Sequence, residues 1–255
     1  MRLIDTHAHI GDIPDIDTSI ERAKQVGVSA IIGMGTSLSN CTRTLEIAEK
    51  YPGYIYPCVG VHPTEFFKED IEAALKYVKE HAPQCTAIGE IGLDYWVKPL
   101  RKDKVMKDAQ INVYTRQLEI AAELELPTSI HSRGAWRDCL TLAMKCGSGR
   151  AVFHWYSGPL DVLRDVLDNG FYVSCTPAIE SSPELRATMS NTPIERILVE
   201  TDSPVWIRGI ERASEPSDVA LTVKHLATLK EMHFKDVAEV TSLNAKKLFN
   251  LDGMK

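Results

Sequence analysis

The chain has 255 residues, 44% of them hydrophobic and 25% charged, with a net charge of -6 and a pI near 5.8. These proportions are ordinary for a soluble globular protein. The acidic balance argues against a broad basic surface that grips nucleic acid, but leaves room for one such site served by bound dications and a few Arg or Lys residues. No apolar run approaches the roughly 20 residues of a bilayer span, so no membrane contact is expected. The opening MRLIDTHAHI lacks a signal-peptide pattern, and the six cysteines are scattered without C-x-x-C spacing. Reduced thiols and a cytoplasmic location follow as expectations.

Apolar periodicity divides the chain into short strands and longer helices. A strand over residues 3–5 leads to a helix that opens on the capping-box pattern Thr18-Ser-Ile-Glu21 and ends near Gly27. A strand at 29–34, a helix at 40–50 and a strand at 55–61 follow, then a helix at 70–79 with Ile71, Ala74, Leu75 and Val78 on one face. After a strand at 86–89, a loop rich in Lys, Arg and Asp runs to about 108, and a long helix covers 109–124. The rest reads as strand 128–130, helix 135–145, strand 151–153, helix 160–167, strand 171–174, helix 183–190, strand 197–199 and two helices at 217–230 and 235–249. Strands alternating with helices predict βαβ units and a parallel sheet. Eight such units predict an α/β protein built as a single (β/α)8 TIM barrel with an additional C-terminal helix, one domain over 1–255. A doubly wound open sheet is the alternative.

Polar side chains collect where the predicted strands end. His7, His9, His62, His131 and His154 lie there, as do Glu90, Glu200 and Asp202. In a parallel barrel these ends converge on one face, where barrel enzymes place their active sites. In His7-Ala8-His9 the imidazoles sit two residues apart on a strand, so both face one side and can reach one cation. Glu90 interrupts the apolar run Ala-Ile-Gly-Glu-Ile-Gly-Leu, where an unpaired carboxylate is expensive to bury. A metal is its natural partner, a buried salt bridge with an Arg the alternative, and its two oxygens can bridge two ions. His131 and His154 fit a second metal position. Glu200 and Asp202 share strand parity; Asp202 is the preferred ligand, and Glu200 is expected to orient a ligand or a water. Asp5, in step with His7, is expected behind the ligands or in a core polar contact. Imidazoles with a few carboxylates suit Zn²⁺, Mn²⁺, Fe or Ni better than an all-oxygen Mg²⁺ cage.

The ordered motifs Asp-Thr-His-Ala-His, Gly-Val-His-Pro, Gly-Glu-Ile-Gly-Leu-Asp-Tyr, Ile-His-Ser-Arg, His-Trp-Tyr-Ser-Gly and Glu-Thr-Asp-Ser-Pro resemble those of the TatD family of metal-dependent hydrolases, from residue 3 to about Phe249. The resemblance implies a TIM barrel with two divalent metal ions (Mg²⁺, Mn²⁺ or Zn²⁺). It gives one ion His7, His9, Glu90 and Asp202, and the other Glu90, His131 and His154. It also implies DNase activity, often 3′–5′ exonucleolytic, with single-stranded DNA ends as the favoured substrate. On that basis Glu90 and Asp202 carry the catalysis, Asp202 taking the proton of the attacking water. His62 and Arg133 are expected to hold phosphate oxygens. Asp94, Tyr95, Trp96 and Trp155 are candidate cleft residues, the aromatic ones for stacking on bases, and 98–107 is a candidate flap. The chain departs from the family at Trp155 and in the loop after Pro204, so the metal chemistry carries over more directly than the substrate. Hydrolysis of a small carboxylic ester, lactone, amide or aminoacyl linkage by the same metals is the alternative.

Overall fold

Alternation in the sequence becomes alternation in space. The computed structural model describes residues 2–98 and 103–251. Its strands are β1 (Leu3–Ala8), β2 (Val28–Met34), β3 (Ile55–Val59), β4 (Ala87–Gly92), β5 (Thr128–His131), β6 (Ala151–Phe153), β7 (Tyr172–Cys175) and β8 (Ile197–Val199). They pair in parallel, in sequence order from β1 to β8. The sheet closes where the chain beyond β8 meets the end of β1. There the His9 N–H donates to the Ser203 carbonyl at 2.7 Å and the Asp202 N–H to the His7 carbonyl at 2.9 Å. This ring is a TIM-type α/β barrel, and the open-sheet alternative falls away.

Helices α1 (Ile16–Gln25), α2 (Leu38–Lys50), α3 (Ile71–His81), α4 (Lys104–Glu123), α5 (Trp136–Cys146), α6 (Leu160–Asp168), α7 (Pro183–Ser190) and α8 (Val219–Lys230) alternate with the strands; α9 (Phe234–Phe249) is the additional C-terminal helix. Buried apolar residues form two clusters. A smaller one joins alternate strand residues such as Ile4, Ile32, Cys58, Val152 and Leu198 to Leu248 and Phe249 of α9. The larger one joins the opposite strand faces, such as Ile31, Ile88, Val173 and Val199, to the surrounding helices. The period of two along each strand sorts its residues between these two cores. No helix among the described residues is long and apolar enough to cross a membrane.

Several predicted boundaries move, for local reasons. Asp15, not the Thr18 pattern, caps α1: its carboxylate accepts from the Thr18 N–H at 3.1 Å. Ser37 starts α2 two residues early, accepting from Asn40 N–H at 3.2 Å. Asp103 caps α4 through the Met106 N–H at 3.1 Å, so residues 104–107 are helical rather than part of a flap. Residues 99–102 of the expected flap lie outside the described residues. β1 and β4 each run three residues beyond expectation, so His7 and Glu90 lie within strands rather than after them.

Candidate metal centre

Glu90 is the centre of the site. Its carboxylate is 1% exposed and is ringed by five imidazoles. On one side Oε2 is 3.3 Å from both His7 Nε2 and His9 Nε2. On the other, Oε1 is 2.8 Å from His131 Nδ1, 2.9 Å from His154 Nε2 and 3.3 Å from His62 Nε2. Asp202 joins the first side, with Oδ1 3.0 Å from His9 Nε2 and 3.5 Å from His7 Nε2. One buried carboxylate therefore presents its two oxygens to different sets of neighbouring donors. Close backbone packing sets it there: a Cβ on Gly60, beyond β3, would lie 2.9 Å from the Glu90 carbonyl oxygen.

The outer nitrogen of each ring tells what its inner nitrogen can do. His154 Nδ1 meets Glu200 Oε1 at 3.3 Å, and His131 Nε2 meets Asp94 Oδ2 at 3.2 Å. Each of these nitrogens donates its proton to a carboxylate, which leaves the other, inward nitrogen with a bare lone pair in the neutral ring. His62 is the reverse. Its Nδ1 accepts from the Thr64 N–H at 3.1 Å, so the inward Nε2 carries the proton and is a donor. His7 Nδ1 meets Ser129 Oγ at 3.2 Å, and its buried Nε2 has no hydrogen-bond partner among the described residues. An orphaned imidazole nitrogen beside two carboxylates fits a cation position.

Electrostatics follow from this crowding. Burial alone would raise the Glu90 carboxyl, but His62, His154 and His7 hold it well below the usual carboxylate range. Burial would likewise lower His9, yet its bond to Asp202 lifts it to about 9. His131 and His154 also rise against their burial, through Asp94 and Glu90 for the first and through Glu90 and Glu200 for the second. His7 and His62 fall, mainly by burial. The rings thus hold the carboxylates in their charged form, and the carboxylates in turn favour protons on His9, His131 and His154. Divalent ions would supply the same positive charge and displace those protons. Three overlapping donor groups have ligand atoms close enough to hold an ion: His7, His9 and Asp202; His7, Glu90 and His154; and His62, Glu90 and His131.

Most of the residues singled out in the sequence meet here. Arg133, Trp96 and Trp155 line the cavity over the cluster. Glu200 stands behind His154 and also accepts the Trp155 N–H at 3.0 Å. Others lie elsewhere. Asp94 does not line the cavity; it is fully buried, accepting from His131 and from Arg133 through Nε at 2.9 Å and Nη2 at 2.6 Å. Tyr95 points away, its hydroxyl donating to Asp138 at 2.6 Å. Asp5 is a core contact that ties β1 to the end of β8 through the Thr201 hydroxyl at 2.6 Å. Ser129 and Trp136 were not foreseen. Ser129 is in step with His131 on β5, a usable signal; Trp136 was hidden in a helical pattern.

Known proteins resemble this chain over nearly its whole length. The family model described as TatD related DNase matches residues 4–250. The chain is 34% identical to the uncharacterized metal-dependent hydrolase YabD of Bacillus subtilis, over 98% of this chain and all of the relative. It is 32% identical to the 3′-5′ ssDNA/RNA exonuclease TatD of Erwinia tasmaniensis, over 93% and 94% of the two chains. Among solved structures, the TatD homologue YJJV of Escherichia coli superposes with a TM-score of 0.89 at 27% identity, covering 97% of this chain and 98% of the other. The chain with Glu90 at the centre of its histidine ring belongs to the family of TatD-related DNases.

Proposed function

We propose that the protein is a two-metal phosphodiesterase that removes nucleotides from single-stranded DNA ends, acting 3′–5′ in the manner named for its Erwinia relative. The observation that carries this reading is the position of the Glu90 carboxylate between two donor groups. His7, His9, Glu90 and Asp202 would hold one divalent ion, and Glu90, His131 and His154 the other. Such ions supply Lewis-acid polarisation of a phosphoryl group and make water a nucleophile at neutral pH. The protein's own groups do the rest. Asp202, at the cavity wall, takes the proton of the attacking water. His62 donates its Nε2 proton to a phosphate oxygen. Arg133 is turned by Asp94 so that its guanidinium reaches a second oxygen from the cavity edge. Glu200 and Asp94 keep the His154 and His131 rings in the tautomers that offer lone pairs inward. The six unpaired cysteines accord with a cytoplasmic setting.

The test is an activity screen on end-labelled single- and double-stranded DNA after reconstitution with Mg²⁺, Mn²⁺ or Zn²⁺, with Glu90→Ala as control. Metal-dependent shortening from the 3′ end, absent in the variant, is expected. Activity confined to a parallel panel of carboxylic esters and lactones would overturn the proposal.

A further inference from the structure

The cavity over the donor cluster is larger than a phosphate requires. It encloses about 530 Å³, a size that accommodates a whole small organic ligand. Charged groups line its base, and three indoles contribute to its wall: Trp96 beyond β4, Trp136 at the start of α5 and Trp155 beyond β6. Trp96 is 53% exposed, so it is not there to fill the core. Its ring stands at 90° to that of Trp136 with centroids 6.2 Å apart, an edge-to-face pair that fixes the two planes relative to each other. These two indoles are each seated against a glycine. A Cβ at Gly134 would lie 2.5 Å from Trp96 Nε1, and one at Gly158 would lie 2.6 Å from Trp136 Cγ. The Trp155 backbone is held as well, its N–H donating to Ser174 Oγ at 2.9 Å. The neighbouring chain is thus shaped to seat flat aromatic surfaces at the mouth, although none of these rings belongs to the donor groups around Glu90.

We infer that Trp96 and Trp136, with Trp155, form a base-binding subsite that receives one unstacked nucleobase while its phosphodiester lies at the cluster. Charge at the base of a cavity and perpendicular aromatic planes on its wall match the two halves of a nucleotide. Stacking is sequence-tolerant, because every base has a π-face. A base inside a duplex already gives both faces to its neighbours, so the subsite selects single strands and frayed ends. This inference rests on the phosphodiesterase reading above.

The experiment compares two single-stranded oligonucleotides that differ only at the terminal residue, one with a normal base and one with a tetrahydrofuran abasic residue. Hydrolysis is measured for the parent, Trp96→Ala, Trp96→Phe and Trp136→Ala. The parent is expected to favour the base-bearing end by about 5- to 160-fold in kcat/KM, the size of one base–aromatic stack. Trp96→Ala loses most of that preference, mainly through KM, and Trp96→Phe keeps part of it. Equal use of both ends by the parent, or an undiminished preference in both alanine variants, overturns the subsite. If the parent cleaves neither oligonucleotide, the phosphodiesterase reading falls by itself. The subsite is then decided by tryptophan fluorescence: quenching by deoxyadenosine monophosphate but not by deoxyribose phosphate, lost in Trp96→Ala, supports it, and no quenching overturns it.

Discussion

Replacing Asp94 by alanine removes one acceptor and strands several donors. The carboxylate accepts from the Trp96 N–H at 2.9 Å, from His131 Nε2 at 3.2 Å and from two nitrogens of Arg133. The Arg133 side chain is half-exposed, so water replaces its lost bonds cheaply. The His131 side chain is only 14% exposed, and its stranded N–H is the costly one. An unsatisfied buried donor costs about 1–3 kcal/mol, which at 1.36 kcal/mol per decade is about 5- to 160-fold. That penalty falls on the ring orientation that turns Nδ1 toward Glu90. Mutations of groups that orient ligands typically cost about 10- to 100-fold in metal affinity or activity, the same range. The assay is hydrolysis of an end-labelled single-stranded oligonucleotide as a function of Mn²⁺ concentration. Asp94→Ala should need about 10- to 100-fold more metal for half-maximal rate, and Asp94→Asn, which keeps an acceptor oxygen, should recover part of the loss. A metal requirement and turnover matching the parent's would refute the reasoning.

Other changes test other parts of the molecule. Glu90→Ala removes the group common to both proposed ion positions and should lower metal-stimulated turnover by about 10³ or more, since several kcal/mol of transition-state stabilisation go with it; near-parental rates in end-labelled assays would contradict this. Chelation should lower Tm by about 5–11 °C relative to metal at 100 times its Kd, from about 2.7 kcal/mol of linkage and 2–4 °C per kcal/mol; calorimetry with and without chelator checks it, and identical scans would count against bound metal. Gly92 has φ 144°, and a Cβ there would lie 1.9 Å from the His131 carbonyl oxygen. Gly92→Ala should therefore cost about 2–4 kcal/mol, seen as a lower urea midpoint; an unchanged midpoint would rule out the clash.

The barrel and the ring of donors were legible because each depends on local pattern. Short apolar runs separated by helical periodicity give βα units wherever they occur, and a His or acid at a run's end is visible without knowing its neighbours. Boundaries failed where side-chain caps compete. Nothing in Thr18–Glu21 reveals that Asp15, one turn earlier, already caps the helix by accepting the Thr18 N–H. Asp94 was misread as a cleft residue because its role depends on a bond to His131 across two strands, 37 positions away. The tautomer of His62 was likewise out of reach, since it is set by one backbone N–H in the turn that follows. Trp136 lies within the predicted helix 135–145 and is not singled out there, because periodicity does not register that the first turn of α5 borders an open cavity.

The seam between β1 and the chain beyond β8 has a temporal meaning as well as a spatial one. His9 and Asp202 are 193 positions apart, yet their side chains touch at 3.0 Å. During synthesis the chain displays His7, His9, Glu90, His131 and His154 in turn, and the ring of donors stays open until Asp202 emerges and the last strand docks. A cation that prefers the full ring binds the closed barrel over every partly assembled form, so the proposed ions act as a clasp on folding. The proposed cutting activity would then arrive in the same event as barrel completion.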